Sequence, residues 1–118
     1  MQTDMTIYKT NENPETANDS TDNVLVKYFG AIREFAGKSD ESFDLISGSV
    51  VHVLLCRISD IYGVKMRAEI FDAKNINGLR DDLMVTLNEA ILNHSQATGT
   101  VLKSGDTVAL FPIFPGGG

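Results

Sequence analysis

The chain has 118 residues, 42% of them hydrophobic and 22% charged, with a formal net charge of −6. That length fits one packed domain rather than two, and the apolar fraction is enough for a core. An acidic chain with no basic stripe argues against nucleic acid as a partner, no apolar run approaches the roughly 20 residues of a membrane span, and the opening MQTDMTIYKT lacks a signal-peptide core.

The charge is uneven. Residues 1–23 carry Asp4, Glu12, Glu15, Asp19 and Asp22 against Lys9 alone. This stretch is rich in Asn, Thr, Asp and Ser and has too little apolar surface to offset its ordering entropy. Residues 1–22 are therefore expected to be a disordered acidic extension. The single cysteine, Cys56, rules out an internal disulfide and a cysteine-rich metal cluster. A reducing, cytoplasmic setting is expected.

From residue 23 the pattern becomes that of a folded domain, expected over 23–113. Val24 to Phe29 is β-branched and aromatic and reads as a strand, with Val24, Val26 and Tyr28 on one face and Leu25, Lys27 and Phe29 on the other. Lys27 marks the second face as the less buried one. Ala31–Ala36 reads as a short helical turn stopped by Gly37. Ser42–Ile46 reads as a second strand, close enough for an antiparallel pair. Ser47-Gly48-Ser49 offers a serine N-cap to a helix carrying Val51, Leu54, Leu55, Ile58, Ile61 and Tyr62 at helical spacing, with Gly63 as its stop. Val64–Phe71 reads as a shorter helix and Gly78 as a loop. Leu83–Leu87 alternates as a strand, and Asn88-Glu89 turns it into a short partner at Ala90–Leu92. Residues 93–100 read as loop. Ser104-Gly105-Asp106 is a turn before the last strand, Thr107–Phe111, where Pro112 is expected to end the ladder.

One amphipathic helix over a mixed sheet, with first and last strands parallel across an intervening helix, is an α+β architecture of the β-grasp, or ubiquitin-like, kind. Residues 114–118 are expected to form a flexible tail ending in Gly116, Gly117 and Gly118. At an average glycine usage of about 7%, such a triplet arises by chance on the order of 3 times in 10,000. Glycine has no Cβ, so a Gly-Gly segment can thread a narrow channel and present a carboxylate in another protein's active site. That carboxylate becomes reactive once adenylated by ATP, and can then accept sulfur or pass to an amine. A plain flexible end is the alternative.

The stretch Val24-Leu25-Val26-Lys27-Tyr28-Phe29-Gly30-Ala31-Ile32-Arg33-Glu34-Phe35-Ala36-Gly37 resembles the opening of the ubiquitin-like sulfur carriers, the family of ThiS and the small subunit of molybdopterin synthase. The close, Leu102 to Pro112, looks like the family pattern of Leu, two residues, Gly-Asp, an apolar strand and Phe-Pro, followed by Gly-Gly. The middle, with Phe71-Asp72 and the Leu83–Leu87 strand, looks most like the small archaeal modifier branch. The resemblance covers about residues 23–118. It implies a β-grasp fold and a C-terminal Gly118 adenylated by a ubiquitin-activating-type enzyme, which supplies the ATP and magnesium, the carrier itself holding no cofactor. The product is a thiocarboxylate or an isopeptide conjugate to lysines of target proteins. A large molybdopterin synthase subunit is the further partner it suggests. The third glycine and the N-terminal extension depart from the family pattern.

Gly118 is the reactive position in this reading, with Gly116 and Gly117 giving access. If Val108 and Leu110 face the helix, Phe111 and Ala109 face outward beside Phe29 and Leu25. Phe29, Phe111, Pro112 and Phe114 are then the expected partner-binding surface; the alternative places Phe29 or Phe111 in the core. Asp106 is expected to cap its turn. Arg33 and Glu34 are expected to be solvated or locally paired. His52 and Cys56, four apart on the helix flank, read as an ordinary pair rather than a catalytic one. His94 reads as a loop residue with no metal role. Lys27, Lys38, Lys65, Lys74 and Lys103 could each accept a conjugate. Three functions follow: a carrier or modifier, the small subunit of molybdopterin synthase, or a β-grasp interaction module with an inert tail.

Overall fold

The computed structural model describes residues 21–113. The chain runs β1 (Thr21–Tyr28), α1 (Gly30–Ala36), β2 (Asp40–Ile46), α2 (Val51–Tyr62), α3 (Val64–Ile70), β3 (Leu83–Leu87), β4 (Ala90–Leu92), α4 (His94–Gly99) and β5 (Thr107–Pro112). The five strands form one sheet in the order β2-β1-β5-β3-β4. Only β1 and β5 are parallel, with Val26 opposite Val108 and Tyr28 opposite Leu110; the other neighbours are antiparallel. This is the expected β-grasp.

Period-2 alternation decides what each strand buries. Val24, Val26, Tyr28, Phe43, Leu45, Val85, Val108 and Leu110 point to one face and are buried. Leu54, Leu55 and Ile58 of α2 cover them, together with Met66 and Ile70 of α3. Ile61, expected in the α2 stripe, is instead half exposed, and Ser59 is buried in its place. Tyr62, one turn beyond Ile58, still packs against the core, so Ile61 alone leaves the expected stripe.

Four local expectations are corrected. First, β1 begins at Thr21, so Thr21 and Asp22, assigned to the extension, pair with Ile46 and Leu45. Polar residues fit there because they lie at the rim, where the Asn23 amide donates to Asp44 and the Asn23 N–H to Ser104. Second, neither serine caps α2. The N-cap is Val50, held extended by its bridge to Val101, and the Val51 N–H donates to the Thr100 carbonyl. Ser49 Oγ donates back to the Ile46 carbonyl. Third, residues 93–100 contain α4. Asn93 and Gln96 form a reciprocal capping box, Asn93 Oδ1 accepting from the Gln96 N–H at 2.8 Å and Gln96 Oε1 from the Asn93 N–H at 3.0 Å.

Fourth, Pro112 does not end the ladder. It pairs with Leu83, and Ile113 N–H still donates to the Asp82 carbonyl. The missing N–H of Pro112 would face the β1 side, where pairing stops at Tyr28–Leu110 and the chain turns into α1. A proline there forfeits no ladder bond.

An outer sheet face beside the root of the tail

The alternation that buries Val108 and Leu110 turns Ala109 and Phe111 to the other side of the sheet. Phe29, just past β1, reaches the same side. The two phenyl rings stack with centroids 4.2 Å apart and planes 10° from parallel. The expected outward setting of both residues holds: each is half-buried, outside the core cluster. They form one end of a groove of about 630 Å³ on the outer face. Met84 and Thr86 of β3 and Ile91 of β4 make its other wall, with Lys27 and Glu89 at its margins. Met84 and Ile91 escaped the sequence reading; the alternation of Leu83 and Val85 with Met84 and Thr86 signals the outward face of Met84 but not its place beside β5.

The tail leaves from this end of the sheet. Gly30 sits at φ +57, and a Cβ there would lie 2.8 Å from Cγ of Pro112. Only glycine meets both demands, a left-handed backbone and a proline ring pressed against it. The contact fixes the direction in which the chain departs after Pro112. Ile113 is the last described residue and is 44% exposed. Phe114, Gly116, Gly117 and Gly118 lie outside the described residues, as does most of the expected N-terminal extension.

At the opposite end of the groove, the β3–β4 turn is tied to the turn before β5. Asn88 accepts from the Thr107 N–H and donates its amide to Asp106 Oδ1. Asp106 Oδ2 accepts from the Lys103 N–H, which is the turn-capping role expected of it. Asn88 and Glu89 both adopt positive φ, 50° and 75°, as a two-residue hairpin requires.

The other titratable groups serve the frame. Glu41 Oε1 accepts from both Tyr28 at 2.9 Å and Tyr62 at 2.5 Å, joining β1, β2 and α2. Burial, then the Glu41 carboxylate, pushes the Tyr28 hydroxyl well above its ordinary range. Burial works to raise the Glu41 carboxyl as well, but the two tyrosine hydroxyls and Lys38 overcome it and hold the group below its usual range. His52 Nε2 lies 3.5 Å from Cys56 Sγ, and its ring meets Phe71 edge to face. Among the described residues no third polar side chain joins that pair, and His52 Nδ1 has no partner there, so the orienting group of a catalytic dyad is missing. His94 opens α4 rather than lying in a loop, and its Nε2 is 2.7 Å from the Leu83 carbonyl. Among the described residues no group of three metal-ligating side chains converges, and no helix is long and apolar enough to cross a membrane. Arg33 and Glu34 are exposed on α1.

Known proteins of similar structure share this frame. The chain superposes on the HVO 2177 protein of Haloferax volcanii with a TM-score of 0.71 at 20% identity, covering 82% of this chain and 88% of that one. It superposes on the H. volcanii small archaeal modifier protein 1 with a TM-score of 0.67 at 22% identity, over 79% and 99% of the two chains. A Pyrococcus furiosus protein described as a molybdopterin converting factor, subunit 1, gives 0.62 at 28% identity, over 79% and 99%. No curated protein sequence matches. The family model of ThiS matches residues 26–117, from the second half of β1 through the sheet to the second of the closing glycines. A β-grasp sheet that carries a Gly-Gly segment just past its last strand, matched over that whole span, makes this chain a member of the ThiS family of ubiquitin-like sulfur carriers.

Proposed function

We propose that the chain carries an activated carboxylate on Gly118. The observation behind this reading is the stacked Phe29–Phe111 pair: an apolar outer face that ends at the Gly30–Pro112 contact from which the tail departs. A ubiquitin-activating-type enzyme docks on that face, through Phe29, Phe111, Pro112 and Phe114, and receives the tail. The Gly118 carboxylate attacks the α-phosphorus of ATP held with magnesium by the enzyme, and pyrophosphate leaves. The acyl-adenylate then meets one of two nucleophiles. Hydrosulfide displaces AMP and leaves a thiocarboxylate, or a lysine amine of a target protein displaces AMP, loses a proton and forms an isopeptide bond. This chain supplies the handle and the reacting terminus; the catalysis belongs to the enzyme.

Intact-mass measurement of the protein isolated from its native cell tests the proposal. It should show one oxygen replaced by sulfur, or tryptic digests of targets should carry the chain's own closing peptide, Ser104 to Gly118, on lysines, since Lys103 is the last basic residue. Absence of both, with function unchanged after removal of Gly117 and Gly118, refutes it. The 28% identity to the P. furiosus molybdopterin converting factor subunit favours a second reading, the small subunit of molybdopterin synthase. Co-purification of a stable large subunit that receives the tail distinguishes that reading from free carriage.

A further inference from the structure

We propose that Met5-Thr6-Ile7-Tyr8 seats in the outer-face groove of its own chain. Among the described residues no element covers Phe29, Phe111, Met84 and Ile91 in the groove, and Ile91 is 67% exposed. Contiguous apolar surface of this kind takes a partner segment. The family match starts at residue 26, and residues 1–20 lie before it. They contain one apolar cluster, Met5, Ile7 and Tyr8, in an otherwise polar stretch.

Chain length selects this occupant. Thr21 starts β1, and alternation places positions 21, 23, 25 and 27 on the outer face. From Thr21 to Phe29 the strand covers about 26 Å. Residues 9–20 can span up to about 40 Å when extended. With a reversal before Thr21, that reach would allow Tyr8 to meet the Asn88 end of the groove and Met5 the Phe111 end, antiparallel to β1. The charges agree with that path. Lys27 and Glu89 line the groove, and the connecting sequence offers the opposite charges, Glu12, Glu15 and Asp19 for the first and Lys9 for the second.

A tether of this length gives an effective concentration on the order of millimolar. An intrinsic affinity of the same order half-fills the groove, and a half-filled groove lowers a competitor's apparent affinity about twofold. The competition rests on the docking role proposed above; the occupancy itself does not.

The test compares the full-length chain with its Met5→Ser/Ile7→Ser/Tyr8→Ser variant by methyl NMR. In the parent, Met5 and Ile7 methyls should show contacts to the Phe29 and Phe111 rings that persist on tenfold dilution. In the variant, the Met84, Ile91 and Ala109 methyl signals should move. Superimposable spectra overturn the proposal. So do contacts that fade on dilution, which would place a second copy in the groove. Titration with the activating enzyme separates the two readings. Variant binding about twofold tighter supports competition in cis. Unchanged affinity alongside the expected spectral shifts means that the enzyme docks elsewhere, which defeats the docking role and leaves the occupancy standing.

Discussion

Replacing Gly30 by alanine tests how the tail root is fixed. The substitution places a Cβ at φ +57, a conformation that costs an L-residue roughly 1–2 kcal/mol. It also brings that Cβ to 2.8 Å from Pro112 Cγ. A ring carbon can yield by a change of pucker, so relief of the contact adds about 1 kcal/mol, within the range for inserting a methyl into packed surroundings. The expected total is about 2–3 kcal/mol, a large share of the roughly 5–15 kcal/mol that holds a domain folded. Urea unfolding measures it as a lowered midpoint at unchanged slope. The two contributions separate in a cycle with Pro112→Ala. In that background the steric part vanishes, and Gly30→Ala should cost only the roughly 1–2 kcal/mol of its backbone angle. A loss below about 0.5 kcal/mol for Gly30→Ala, which is the ordinary size of a surface substitution, refutes the reasoning. An undiminished loss in the Pro112→Ala background refutes the assigned contact.

Four further outcomes are expected. Phe111→Ser should lower the specificity constant for adenylation by the activating enzyme about tenfold or more while the domain stays folded, as loss of an interface anchor does; pyrophosphate exchange with circular dichroism measures both. Glu41→Ala should cost about 2–4 kcal/mol, because it strands the Tyr28 hydroxyl in a buried position and removes the acceptor of Tyr62. Glu41→Gln should flatten the acid limb of stability. The Glu41 carboxyl titrates lower in the folded chain than unfolded, so its contribution is complete above the unfolded value and is lost as pH falls through the folded one; denaturation at a series of acidic pH values checks this. Glu89→Gly, at φ 75, should hold or raise the melting temperature, since relief of a left-handed residue of roughly 1–2 kcal/mol outweighs glycine's entropy cost of about 0.5–1 kcal/mol.

The central sheet was readable because its strands are buried on one face, so each alternating run names its own inward residues. Val24, Val26 and Tyr28 against Val108 and Leu110 settle the register, and that register turns Phe29 and Phe111 outward together. What was illegible follows from weaker signals. The helix α4 buries only Ala97, so no apolar period announces it, although Asn93 and Gln96 carry its capping box in plain sequence. Thr21 and Asp22 look like linker because the first residues of β1 are held by backbone pairing to β2 alone, to which polar side chains contribute little. Pro112 misled because the cost of a missing N–H depends on which neighbour it faces, and only the assembled sheet shows that this one faces α1. On the groove, the β3 and β4 walls required knowing that β3 lies beside β5, a long-range pairing no local run encodes.

The position of β5 has a mechanical consequence. It is an interior strand, with β1 on one side and β3 on the other, and the closing residues follow it directly in sequence. A pull on that tail, whether from an enzyme channel drawing it in or from a conjugated target being dragged through an unfoldase, loads both ladders in shear. Bonds loaded that way share the force and must fail together, whereas an edge strand would peel one bond at a time. The end of the chain that is handed from protein to protein is thus also the end by which the domain is hardest to unravel.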